Sequence, residues 1–188
     1  MPNPYRIVAL TGALRQASFN TALLKTLAET AYEDMAIAVA DISEVPLYNQ
    51  DLDQAALLPA AVHALRTQVA EADGLIISSP EYNYAMSGVA KNLIDWLSRP
   101  YGQAALAGKP VLIITTSPGA TGGVRAQSQL RGTLAATGAH PLGGPEVVIA
   151  GIDRKITEGR FTDESNLAFI AQALERLKAE IAVRQAQA

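Results

Sequence analysis

Cysteine is absent from this 188-residue chain. Its absence removes disulfides, thiolate zinc sites and a thiol nucleophile together. Histidine is nearly as scarce. His63 and His140 are far apart and have no metal-ligand spacing, and neither has a sequence neighbour that recommends it as an acid or base. No run of eighteen apolar residues occurs, so no membrane span is expected. The opening MPNPYRIVAL lacks the charged, apolar and small-residue order of a signal peptide, and a cytoplasmic protein is the expectation. An excess of one charge is missing too. The net charge of −3 gives no electrostatic case for nucleic acid or for an anionic membrane. No internal repeat, low-complexity run or linker is visible. The chain is 49% hydrophobic and 18% charged, an ordinary globule. Its length suits one domain over residues 1–188 with a full core.

The apolar pattern alternates between two periods. Residues 5–10 (YRIVAL), 36–40 (AIAVA), 74–79, 111–116 (VLIITT) and 146–149 (EVVI) are short apolar runs that predict buried strands. A turn at 142–145 is expected before the last of them. Between these runs, helical spacing is expected from Ser18 onward, over 59–72, 88–97, 124–136 and 163–185. In the first helix Phe19, Leu23, Leu24, Leu27 and Ala31 share a face, with Ser18 or Asn20 as its cap. Five alternations of strand and helix predict a three-layer α/β fold around a five-stranded parallel sheet of order 2-1-3-4-5. Such a sheet binds ligands at the carboxyl ends of its strands, where the loops after strands one, three and four meet.

Those three loops are unusual in composition. The first, TGALRQASFN, has Thr11, Gly12, Arg15, Ser18 and Asn20, no acid, and a helix start. Helix-start N–H groups, a cation and short polar side chains favour a phosphate, although any strand–helix turn shares part of this pattern. The loop contains neither G-x-G-x-x-G nor G-K-[ST]. The second, SPEYNYAMSG, follows a buried strand with Glu81, Tyr82, Asn83 and Tyr84. Its backbone and the Asn83 amide suit the polar edge of a heteroaromatic ring, the tyrosines suit its face, and Glu81 suits a role in holding the loop's shape. A rigid turn with tyrosines packed on the protein's own surface is the simpler reading. The third, SPGATGG, has three glycines in seven residues. It fits either close backbone approach to a ligand or a flexible surface loop. Together the loops ask for a phosphorylated, flat heteroaromatic ligand, which flavin mononucleotide (FMN) fits better than a sugar phosphate.

The stretches GALRQASFN and SPEYNYAMSGVAKNLIDWLSRP, with the later SPG–GG–R–Q–LR series, resemble the NADPH-dependent FMN reductase family. Within it they are most similar to bacterial NAD(P)H:quinone oxidoreductases, also described as chromate or azo-dye reductases. The resemblance implies a flavodoxin-like fold, bound FMN, NADPH or NADH as donor, and two-electron ping-pong hydride transfer to a quinone or similar small molecule. Chromate, azo dyes and free flavin are further acceptors it suggests, and a homodimer or homotetramer is implied. Carried over by position, Arg15, Ser18, Phe19 and Asn20 hold the FMN phosphate and its approach, in one loop with Thr11, Gly12, Ala13 and Leu14. Pro80, Glu81, Tyr82 and Asn83 line the isoalloxazine. Ser117, Gly119, Gly122 and Gly123 approach it from the other side. Ala13 stands where the family often has serine, and Thr11 or the backbone is expected to compensate. The resemblance names no catalytic acid or base, because the flavin carries the chemistry. Arg125 is expected to attract nicotinamide phosphates or to pair with a carboxylate such as Glu146 across a subunit contact. Trp96 is expected either at that contact or in the core. An electron carrier of the flavodoxin type and a flavin-binding redox sensor are the rival readings.

Overall fold

The computed structural model describes residues 3–30 and 32–187, so Ala31, expected on the first helix's apolar face, lies outside the described residues. The chain runs β1 (Tyr5–Thr11), α1 (Phe19–Glu29), β2 (Met35–Val39), α2 (Ala60–Glu71), β3 (Gly74–Tyr82) and β4 (Ala85–Met86). It continues with α3 (Gly88–Leu97), β5 (Pro110–Ser117), α4 (Val124–Ala136), β6 (His140–Pro141), β7 (Val147–Ala150), β8 (Ile156–Thr157), β9 (Arg160–Phe161) and α5 (Glu164–Gln185). Strands β2, β1, β3 and β5 lie side by side and parallel, and both β6 and β7 pair with β5 in parallel. This is the flavodoxin-like α/β fold expected from the alternation. The sheet has seven strands rather than five. Its last strand is split in two, and β4 folds back antiparallel on the end of β3.

Strand periodicity assigns the two faces. Ile7 and Ala9 of β1 pack under α1 and α5, with Leu23, Leu24, Leu27, Leu174, Leu177 and Ile181 above them. Val8 and Leu10 face the opposite way, toward Leu65 and Val69 of α2, Leu93 and Ile94 of α3, and Leu130 and Leu134 of α4. Successive side chains of a strand point to opposite faces, and with helices on both faces every position is apolar. Burying each such leucine or isoleucine stabilises by about 1.5–3 kcal/mol. The helix faces therefore hold the fold, and the loops at the sheet's carboxyl edge are free to carry polar groups.

The split of the last strand has its own polar solution. The chain leaves β5 between β6 and β7, and the fully buried Gln127 of α4 fills the gap. Its Nε2 donates to the carbonyls of Ile113 and Val147, both at 3.0 Å. Trp96 belongs to the core rather than to an interface: it is fully buried, and its Nε1 donates to the Pro46 carbonyl at 2.8 Å. Pro59, expected inside the first turn of α2, is its cap residue instead. Asp163 caps α5 by accepting from the Asn166 N–H.

Candidate functional site

Register brings the three loops together. Thr11, the last residue of β1, lies opposite Ser78 of β3, and Pro80 lies opposite Thr116 of β5. All three strands thus end at one level. A cleft opens there, lined by Ala13, Arg15, Ser18, Phe19 and Asn20 from the first loop, Pro80, Glu81 and Tyr82 from the second, and Thr116, Ser117 and Pro118 from the third. It encloses about 170 Å³. Pockets that bury a whole drug-sized ligand hold roughly 300–1,000 Å³, so this chain alone would bury only part of a ligand as large as a flavin.

The first loop offers donors. Ser18 is buried and caps α1, its Oγ accepting from the Thr21 N–H at 3.2 Å. That bond uses the oxygen as acceptor and leaves the hydroxyl proton to give. The N–H groups of Phe19 and Asn20 stand in the helix's first turn, where no intrahelical acceptor exists. Asn20 is buried, and its Oδ1 accepts from the Ser78 hydroxyl at 2.8 Å. This bond fixes the amide with its nitrogen as an available donor in a residue that lines the cleft. Arg15 is exposed, with its guanidinium 4.7 Å from the centre of the Phe19 ring. Across the cleft the Thr116 hydroxyl is buried and has no hydrogen-bond partner among the described residues. Buried polar groups are nearly always satisfied. The orphaned hydroxyl, the open amide and the cation make a donor set that fits a phosphorylated, carbonyl-bearing ring such as FMN.

Not every residue singled out in the sequence reaches the cleft. Thr11 is buried behind it, its hydroxyl 2.9 Å from that of Thr21. It is engaged with a neighbouring hydroxyl and does not line the cleft. Gly12 is needed because a Cβ there would meet Ser79 Oγ and Ser87 Oγ at 2.9 Å. Leu14 points outward and is 58% exposed. Asn83 sits in the two-residue turn between β3 and β4, exposed and with φ of +50°. Its amide does not line the cleft. Gly122 and Gly123 serve packing: a Cβ on Gly122 would meet Val148 Cγ1 at 2.6 Å, and one on Gly123 would meet Thr115 Cβ at 3.0 Å. Gly119 is exposed and also lies off the lining, with its N–H donating to Ser117 Oγ at 3.0 Å. His63 and His140 are both exposed.

Arg125 pairs with a carboxylate, but that of Glu81 in its own chain rather than Glu146. Its Nη1 donates to Glu81 Oε1 at 2.8 Å, and Glu146 pairs instead with Arg131 of the same chain. Burial raises the Glu81 pKa, but the side-chain and backbone hydrogen bonds from Arg125 and its charge outweigh this, and the net shift is downward. Sequence reasoning missed Ser78, Ser87 and Thr116. Ser87 caps α3 and donates to the Gly12 carbonyl at 2.7 Å, locking the first loop to the second. A serine directly before Gly88 and an apolar helical run was a readable cap signal. An orphaned threonine inside an apolar strand leaves no such trace.

Comparison with known proteins agrees with this geometry. The family model described as NADPH-dependent FMN reductase matches residues 5–153. An NAD(P)H-dependent FMN reductase from Pseudomonas aeruginosa is 41% identical over 179 residues, covering 95% of this chain and 96% of that protein. A quinone reductase from Escherichia coli is 42% identical over 170 residues, covering 89% and 90%. Among solved structures, a flavoenzyme NAD(P)H:(acceptor) oxidoreductase from Paracoccus denitrificans superposes with a TM-score of 0.81 at 32% identity, covering 96% and 97%. The chain belongs to the NADPH-dependent FMN reductase family.

Proposed function

We propose that this chain is an FMN-dependent NAD(P)H:quinone oxidoreductase. One observation carries the reading: Arg15, Ser18 and Asn20 bring uncommitted donors to the lining of a single cleft at the carboxyl edge of the sheet, and the orphaned Thr116 hydroxyl lies buried in its opposite wall. The relatives described as FMN and quinone reductases support it. FMN, when bound, supplies two-electron transfer between a nicotinamide donor and a quinone acceptor, while the protein supplies position and electrostatics.

The residues divide that work. Arg15, the Ser18 hydroxyl and the first-turn N–H groups of α1 take the phosphate, because charge-assisted bonds at a helix start are among the strongest a surface offers. The Asn20 amide and the Thr116 hydroxyl meet ring or ribityl oxygens. Pro80 and Tyr82 wall the ring. The Glu81 carboxylate is committed to Arg125, and we assign it no proton transfer. A homodimer or homotetramer fits the small enclosed volume and the outward Leu47, Leu57 and Tyr101. Among the described residues no helix is long and apolar enough to cross a membrane, and we place the protein in the cytoplasm.

The test is a visible spectrum of the protein after incubation with FMN, followed by steady-state turnover with NADPH and a benzoquinone against a free-FMN control. The reading predicts bound flavin and protein-dependent NADPH consumption. Flavin binding without turnover would turn the assignment toward an electron carrier or sensor. No flavin binding would end it.

A further inference from the structure

The turn that carries Asn83 and Tyr84 is strained, and one helix holds it. Both residues have positive φ, +50° and +68°, a conformation that asparagine adopts readily but that costs Tyr84 about 1 kcal/mol or more. Helix α4 grips this hairpin at several points. The backbone N–H of Arg125 donates to Glu81 Oε2 at 3.0 Å and its guanidinium to Oε1 at 2.8 Å. The same guanidinium lies 4.0 Å from the centre of the Tyr84 ring. One turn further on, Gln129 accepts from the Met86 N–H at 3.0 Å and donates to the Tyr84 carbonyl at 3.4 Å.

The grip is mutual. Helix α4 starts at Gly123, which has no side chain to cap it, and no acidic residue stands in its first turn. Its free N–H groups and positive end call for a carboxylate. Glu81 supplies one from β3, with only 11% of its side chain exposed. Glu81 also lines the cleft beside Tyr82, and β5, on the far side, runs directly into α4 through residues 118–123. The two walls of the cleft are thus tied together by the Glu81–Arg125 pair.

We propose that Arg125 is a positioning residue that acts through Glu81: it holds the strained hairpin against α4 and so sets where the Glu81–Tyr82 wall stands relative to Thr116–Pro118. This rests on the reading of the cleft as an FMN site. Arg125 does not touch the ligand. Its fork meets both Glu81 and the Tyr84 ring, a geometry that lysine cannot copy even though it keeps the charge.

The test uses R125M, R125K, E81Q and the double variant E81Q/R125M, each checked for folding by thermal melting. Apo-protein is titrated with FMN by fluorescence quenching, and hydrogen exchange is followed without FMN. The expected results are an FMN dissociation constant raised about tenfold in R125M and E81Q, no restoration by R125K, and a double variant no worse than either single. In the FMN-loaded enzyme the KM for a benzoquinone rises several-fold while kcat changes by less than about twofold. Exchange at residues 83–87 speeds up in R125M and stays unchanged in β1 and α5. Unaltered exchange there, FMN affinity in R125M equal to wild type, additive losses in the double variant, or rescue by R125K would each overturn the proposal. Wild-type protein that takes up no FMN, together with faster hairpin exchange in R125M, would instead remove the cofactor reading and leave Arg125 as the anchor of the hairpin.

Discussion

The two edges of the sheet handle their polar groups in opposite ways. At the amino edge a hollow of about 1,080 Å³ is lined by Tyr5, Arg6, Asp34, Asp73 and Lys178, among others. It is several times larger than the cleft at the carboxyl edge, yet its charges answer one another. Asp73 accepts from the Arg6 backbone N–H and from Gln185, and Lys178 bonds to Asp34 and Glu175. Nearby, the ammonium of Lys109 donates to the carbonyls of Ala70 and Ala72 and closes the end of α2. At the carboxyl edge, among the described residues, Arg15 joins no ion pair, the Asn20 amide nitrogen is open, and the Thr116 hydroxyl is orphaned. What sets the carboxyl edge apart is a cation, an amide and a hydroxyl gathered around one cleft, rather than empty volume. A closed network stabilises the fold and has nothing left to give a ligand, whereas donors held in place and left open are prepared for one.

Substitutions at the two edges should therefore separate binding from stability. The largest effect is expected from Arg15→Ala. Losing one charge-assisted contact to a phosphate costs about 2 kcal/mol, or roughly thirtyfold in FMN affinity. The melting temperature should hardly move, because Arg15 is exposed and joins no ion pair among the described residues. Titration with FMN and a melting curve on the same sample check both halves. Lys109→Met should do the reverse. It frees two helix-end carbonyls and costs about 1–2 kcal/mol of stability, while FMN affinity stays within about twofold. An Arg15 variant that melted early, or a Lys109 variant that lost FMN, would break the contrast between the edges.

The same contrast decides what the sequence could reveal. Apolar periodicity made β1, α3, α4 and α5 readable almost to the residue, because burial on one or both faces imposes a period that local composition records. It could not reveal the split into β6 and β7. That break depends on Gln127 reaching two carbonyls from another element, and a single glutamine in a helical run carries no such message. Within the site, Arg15, Ser18 and Asn20 were legible because they occupy one loop at one helix start. The reach of Arg125 was not, since its partner Glu81 stands 44 residues away. Nor was the outward turn of Asn83, because the backbone conformation of a two-residue hairpin is set by the pairing of Glu81 with Met86 and Tyr82 with Ala85. The glycines of residues 117–123 suggested ligand approach, but close packing on β7 and on Thr115 accounts for two of the three.

The smallest expected effect concerns pH and tests whether the Glu81–Arg125 pair at the carboxyl edge stabilises the fold. The Glu81 pKa is lowered in the fold: burial would raise it, and the hydrogen bonds and charge of Arg125 more than offset that. A carboxyl group with a depressed folded pKa binds fewer protons folded than unfolded, so its contribution is present above the unfolded value, near 4.5. That contribution is lost as pH falls through the lower, folded pKa. The difference in melting temperature between wild type and E81Q should thus be constant from neutral pH down to about 5, and should shrink below that. A difference that instead grew toward acid pH would mean that the carboxylate is strained against α4 rather than capping it. In that case the Glu81–Arg125 pair would resemble the open donors around it in being held at a cost to the fold.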